Sequence, residues 1–190
     1  MVCSPKSLSW IMIPVILGFF LGSIVLQTQL DVPGRTLSVN ASGATGRALV
    51  VYHPGLSSFQ ADVTFALVEG LIEGGWACDV TTAHRGAPSD VSSYDVLVLG
   101  SPTYAWEPAS PMQRYVSRLV GAEGKPTLLL LTAAGTIAGA FDVFADEVEA
   151  IGGVVAETLP VLQVAPNEPI HGTSDPLEIA RRAGAQFTLP

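Results

Sequence analysis

Ser101, Thr103, Tyr104 and Trp106 stand in a short polar and aromatic stretch, Gly100-Ser101-Pro102-Thr103-Tyr104-Ala105-Trp106, that follows an uninterrupted apolar run from Val96 to Leu99. Hydroxyls, backbone donors and two aromatic faces in so short a span suit a planar ligand with apolar faces and polar edges. A second set, Gly55-Leu56-Ser57-Ser58-Phe59, precedes a segment of helical period. Ser57 and Ser58 could bind a phosphate monoester there, because free N–H groups and the helix dipole favour an anion at a helix N-terminus. The plainer role of either serine is to cap that helix. Thr132, Gly135, Thr136 and Gly139 form a third set after another apolar run. Glycine there lets backbone N–H groups come close to a ring edge.

The Gly55–Phe59 stretch also partly matches the G-x-S-x-G turn of serine hydrolases, with Ser57 as nucleophile and His171 late in the chain as base. Phe59 stands where the second glycine belongs, and no acid is picked out. His53, His84 and His171 have no ligand spacing with a cysteine or a carboxylate pair, so no metal site is expected. Cys3 and Cys78 form neither a C-x-x-C nor a disulfide framework.

The elements that must position these residues alternate regularly. Apolar runs or alternations predict strands over Ala48–Tyr52, Ala77–Thr82, Asp95–Leu99, Thr127–Leu131 and Val154–Val161. Between them, helical spacing predicts helices over Asp62–Leu71, Pro111–Val120 and Ala138–Ile151, and Asp175-Pro176 opens a last helix. Runs buried on both faces, joined by helices, imply right-handed crossovers and a doubly wound parallel α/β sheet. In such a sheet, ligands sit outside the carboxyl ends of the strands, where all three candidate sets fall.

The first thirty residues differ from the rest. No charge occurs from Ser7 to Leu30, and Trp10 to Leu26 is almost continuously apolar. Residues 1–30 are therefore expected to be an uncleaved transmembrane anchor, with the membrane engaged through residues 7–30. Lys6 before the span against Arg35 and Arg47 after it places the following domain on the cytoplasmic side. Gly18 and Gly22 form a G-x-x-x-G that permits a homodimer. Residues 31–46, rich in Gly, Ser, Thr and Asn, read as a flexible linker to a domain over 47–190. From residue 31 onward, 8 Lys and Arg stand against 17 Asp and Glu, a net charge of −9. That excludes nucleic acid as an expected partner and is compatible with a basic protein partner.

From Arg47 to the C-terminus the chain resembles the flavodoxin-like family. Val96–Met112, reading VLVLGSPTYAWEPASPM, looks like the second flavin-contacting loop of that family, and Leu128–Phe141, LLLLTAAGTIAGAF, is similar to its third. After the strand ALVVY the family usually places a Thr/Ser-x-Thr-Gly-Asn-Thr-like phosphate loop. This chain has His53-Pro54-Gly55-Leu56-Ser57-Ser58-Phe59-Gln60, without the Gly-Asn-Thr core. The resemblance implies a five-stranded sheet in the order 2-1-3-4-5 with helices on both faces. It also implies FMN held by Pro54, Gly55, Leu56, Ser57, Ser58 and Phe59, by Ser101, Pro102, Thr103, Tyr104, Ala105 and Trp106, and by Thr132, Ala133, Gly135, Thr136 and Gly139. With no G-x-G-x-x-G in the chain, FMN is expected rather than FAD. The implied function is a membrane-tethered redox protein that carries electrons or reduces a quinone-like acceptor, with an unknown redox partner protein. A domain without cofactor, acting as an interaction module, is the alternative that the missing first-loop core leaves open.

Overall fold

The computed structural model describes residues 12–19, 22 and 29–189. Residues 12–19 are helical (α1). The expected single-pass membrane localisation, and with it the cytoplasmic placement, is corrected here. Among the described residues no helix is long and apolar enough to cross a membrane. Most of residues 7–30 lie outside the described residues. A Cβ added at Gly18 or Gly22 would meet nothing within 4 Å, so no close helix contact forms at that G-x-x-x-G among the described residues.

The remaining elements are β1 (Leu37–Val39), β2 (Gly46–Tyr52), α2 (Phe59–Glu73), β3 (Trp76–Thr82), β4 (Val96–Tyr104), β5 (Glu107–Pro108), α3 (Ser110–Val116), β6 (Pro126–Ala133), α4 (Ala140–Ala150), β7 (Val154–Leu162) and α5 (Pro176–Gln186). They form a mostly parallel sheet in the order β1-β3-β2-β4-β6-β7, with β5 paired antiparallel to the end of β4. Count and order thus differ from the expected five strands in the order 2-1-3-4-5. The five parallel strands lie as β3-β2-β4-β6-β7, and β1 joins their edge antiparallel to β3.

β1 lies inside the stretch whose composition predicts a linker. The outer edge of β3 offers unpaired N–H and C=O groups, and Leu37–Val39 takes them in register with Cys78–Val80. Asn40 Nδ2 donates to the Trp76 carbonyl at 2.8 Å, and Ser38 Oγ donates to Asp79.

The sheet separates two cores. Val50, Val98, Leu128 and Leu130 meet α2 and α5 through Leu67, Leu71, Ile179 and Ala183. Leu49, Val51, Leu97 and Leu129 meet α3 and α4 through Met112, Tyr115, Phe144 and Val148. Central strands buried on both faces are apolar without interruption. β3 and β7, nearer the edges, alternate more strongly.

Two boundaries differ from the sequence expectation in ways that shape the site. Gly100–Tyr104, expected as a loop, continues β4, because Gly100–Pro102 pair with Leu130–Thr132 of β6 and Thr103 and Tyr104 turn back on β5. α3 ends at Val116 rather than Val120. Val120 instead donates its N–H to Ser89 O at 2.8 Å and accepts from the Val91 N–H at 2.9 Å, which draws the chain out of the helix.

Candidate functional site

The carboxyl ends of β2, β4 and β6 converge on a cleft of about 360 Å³. That size lies in the usual range of about 300–1,000 Å³ for small-molecule sites. Ten of the residues singled out in the sequence line it: Pro54, Gly55, Leu56, Ser57, Phe59, Pro102, Thr103, Tyr104, Thr132 and Ala133. Gln60, Ala134 and Gln163 line it as well, and none of the lining residues is charged. A larger cavity of about 470 Å³ lies between α3 and α4, but it is away from the strand ends where ligands of open α/β sheets bind.

In the first loop, Ser58 is the N-cap of α2, with φ −68° and ψ −15°, and makes no side-chain cap bond. Both Ser57 and Ser58 are exposed. Neither hydroxyl is therefore committed to the helix, and the first-turn N–H groups of α2 have no carbonyl inside the helix. Gly55 has φ +74°, and a Cβ there would lie 3.0 Å from both Pro102 Cγ and Tyr104 Oη. The first and second loops thus touch, and only glycine fits that contact. The Leu56 N–H donates to Tyr104 Oη at 3.2 Å. Burial raises the Tyr104 phenol above its ordinary value, and the Leu56 bond offsets part of that rise. The phenol is protonated at neutral pH, and its own proton is free to be donated into the cleft.

A buried polar chain ties the third loop to α2. Thr132 Oγ1 donates to Gln60 Oε1 at 2.6 Å, Gln60 Nε2 donates to Thr64 Oγ1 at 3.1 Å, and Thr64 Oγ1 donates to the Gln60 carbonyl at 2.7 Å. Gly100 makes room for it, since a Cβ there would lie 2.9 Å from Gln60 Nε2. Thr103 Oγ1 donates to Thr132 O at 3.1 Å. The Thr103 and Thr132 hydroxyls therefore brace the walls, which leaves Ser57 and Tyr104 as the lining hydroxyls able to donate to a ligand.

The other seven residues do not line the cleft. Ser58 sits beside it at the helix start. Ser101 is fully buried; its Oγ accepts from the Ala109 N–H at 2.8 Å and donates to Pro102 O at 2.9 Å, so it shapes the second loop from inside. Thr136 Oγ1 accepts from the Ala138 N–H at 3.4 Å, and Gly139, with φ +79°, is the N-cap of α4. Gly135 lies between them and the cleft wall in the chain. Ala105 and Trp106 form the two-residue loop between Tyr104 and Glu107.

That loop has φ +52° and +64°, so both central residues are left-handed, the type I′ geometry that favours Asn-Gly. Neither alanine nor tryptophan relieves the strain, and Trp106 is 64% exposed at the hairpin tip. Replacing Ala105-Trp106 by Asn-Gly should stabilise the domain by about 1 kcal/mol against urea. A lower midpoint would mean that contacts of the Trp106 ring outweigh the strain.

Sequence reasoning missed Gln60 because the helix was expected to begin at Asp62, three residues after its actual start at Phe59. Gln163 follows the end of β7, and its N–H donates to Ala133 O at 2.8 Å. The rule that placed the other loops at strand ends points to it too. For the hydrolase alternative, His171 Nδ1 pairs with Gln186 Oε1 at 2.8 Å and Nε2 lies 3.8 Å from Glu157 Oε1. It is committed to β7 and α5 and is not the base for Ser57.

The donor set fits a mononucleotide: uncapped serines at a helix N-terminus for a phosphate, and Leu56, Pro102, Tyr104 and Ala133 as flat apolar walls for a ring. No family model and no curated protein matches the chain. Solved structures do. A flavodoxin from the domain Archaea superposes with a TM-score of 0.57 at 17% identity, covering 73% of this chain and 94% of that one. The two-electron reduced flavodoxin of Megasphaera elsdenii gives 0.59 at 20%, covering 74% and 99%. An NAD(P)H:quinone oxidoreductase from Methanothermobacter marburgensis gives 0.51 at 18%, covering 77% and 99%. With its central parallel strands, flanking helices and strand-end cleft, the chain has the flavodoxin-like fold.

Proposed function

We propose that this domain binds FMN in the cleft at the ends of β2, β4 and β6 and serves as a redox module, carrying electrons or reducing a quinone-like acceptor. The observation that carries the reading is the start of α2, which has no side-chain cap bond: Ser57 there lines the same cleft that Tyr104 walls, with Ser58 beside it. FMN, when bound, supplies the one- and two-electron chemistry. The chain binds and orients it. Ser57, Ser58 and the first turn of α2 hold the phosphate without a cation. Leu56, Pro102 and Tyr104 exclude water from the ring faces, and the Gln60–Thr132 pair fixes the third wall. Tyr104 Oη accepts from the Leu56 N–H and keeps its own O–H to donate a hydrogen bond into the cleft. A net charge of −9 from residue 31 onward disfavours added negative charge, which lowers the potential, and suits a basic partner protein.

The second reading is a domain without cofactor that acts as an interaction module. It is favoured by the Leu56–Tyr104 bond, which already occupies one first-loop N–H.

An absorbance titration of the full chain separates the two readings. FMN should bind with a shifted flavin spectrum, and replacing Ser57 and Ser58 together by Ala should weaken FMN about tenfold while leaving riboflavin unchanged, because a hydrogen bond to a charged group contributes about 1.5–3 kcal/mol. Equal weakening of both ligands would move the phosphate elsewhere. No spectral change on adding FMN would leave the cofactor-free reading standing.

A further inference from the structure

A separate basic cavity of about 290 Å³ lies where α3 faces the segment after β3. Arg85, Arg114 and Arg118 line it together with Asp31, Pro111 and Tyr115. Three guanidinium groups meet one carboxylate there, in a chain of formal net charge −8. Arg114 Nη2 donates to Asp31 Oδ1 at 2.8 Å and to the Gln29 carbonyl at 2.7 Å. Arg118 is held in place: Nη1 donates to Arg85 O at 2.9 Å, Nη2 donates to His84 O, and the guanidinium lies 5.3 Å from the centre of the Tyr115 ring. Arg85 is exposed and has no ion-pair partner among the described residues.

We propose that this cavity is an anion site for a phosphate monoester, in which Asp31 is an internal ligand that the phosphate displaces. Asp31 hydrogen-bonds to only one of the three arginines, so two positive charges remain uncompensated. With Asp31 displaced all three are, and a phosphate dianion, carrying twice the charge of the carboxylate it replaces, engages the planar forks of several arginines at once. All three arginines act on the Asp31 carboxyl, with the Arg114 hydrogen bond the largest influence, and hold it below its usual value. The Asp31–Arg114 pair is partly exposed, with the Arg114 side chain at 50%. Pairs of that kind contribute little, so displacement is easy. Nearby His53 is fully buried with neither ring nitrogen hydrogen-bonded. Burial drives its pKa down to about 4, so it stays neutral at pH 7 and adds no charge to the cavity. Phosphate binding and docking of the Gln29–Asp31 segment on Arg114 are mutually exclusive, which couples the two.

The test is a calorimetric titration of the full chain with inorganic phosphate at low ionic strength. Asp31→Asn should bind phosphate a few-fold more tightly than the parent, as loss of a weak competing pair implies, and Arg85→Gln about tenfold more weakly, the effect of one charge-assisted hydrogen bond. Arg85 is exposed, so Arg85→Gln should keep the parent's urea midpoint. In the Ser57/Ser58 double alanine variant, which removes the serine contacts proposed for the FMN phosphate, one phosphate should still bind, and it should still be weakened by Arg85→Gln. Phosphate affinity unchanged in Asp31→Asn or in Arg85→Gln would overturn the proposal. So would its loss in the serine variant, which would place the anion at the FMN cleft. Acetate binding as tightly as phosphate would overturn the ligand assignment.

Discussion

Gly184→Ala is expected to destabilise the domain by about 3 kcal/mol or more, at the upper end of overpacking effects. A Cβ on Gly184 of α5 would lie 2.2 Å from Leu67 O and 2.8 Å from Leu71 N of α2. The contact is reciprocal: a Cβ on Gly70 of α2 would lie 1.9 Å from Arg181 O and 2.7 Å from Ala185 N of α5. The obstructing atoms are backbone, so no rotamer change relieves the clash and the helices must separate. Helix propensity alone gives the opposite sign, since Ala is favoured over Gly by about 1 kcal/mol in a helix interior. Gly74→Ala is the control. Its Cβ would meet nothing nearer than 3.4 Å and its φ is −73°, so its urea midpoint should stay near that of the parent. Because α2 carries Gln60 under the cleft, Gly70→Ala and Gly184→Ala should also lose flavin affinity. If both fold with the parent's midpoint, the α2–α5 crossing is looser than described.

What was legible in the sequence follows from where the free energy of burial is concentrated. Val96–Leu99 and Leu128–Leu131 are apolar without a break because both of their faces are covered, so the central strands and the loops at their ends could be read directly. Ser57 and Tyr104 were found for the same reason: they follow such strands within a few residues. The edge was not legible. Leu37-Ser38-Val39 is too short to show a period, and it becomes β1 only because β3 presents an open edge. The type I′ loop at Ala105-Trp106 was hidden because its residues are not those that the turn prefers. Gln60 was obscured by the polar, non-periodic start of α2, and its role depends on Thr132, 72 positions away. Asp31 and Arg114, 83 positions apart, carry no local pattern at all.

Tyr104→Ala should weaken FMN by about 1–3 kcal/mol, the range for an aromatic stacked on a planar ring, taken by analogy from base stacking. Two changes act together. The cleft loses its aromatic wall. The Leu56 N–H loses its acceptor at 3.2 Å. Tyr104→Phe keeps the ring and removes only the hydroxyl, so it should fall between the parent and Tyr104→Ala. Trp106→Ala should have the smaller effect, since Trp106 is 64% exposed and does not line the cleft. Loss of the Tyr104 wall also admits water that screens the charge gained on reduction, so the midpoint potential of bound flavin should rise. Fluorescence titration gives the affinities, and spectroelectrochemistry gives the potentials. If Tyr104→Ala binds FMN with the parent's affinity and potential, the β4–β5 hairpin does not contact the flavin. The Leu56–Tyr104 bond would then brace two loops of a cleft that serves another ligand, or none.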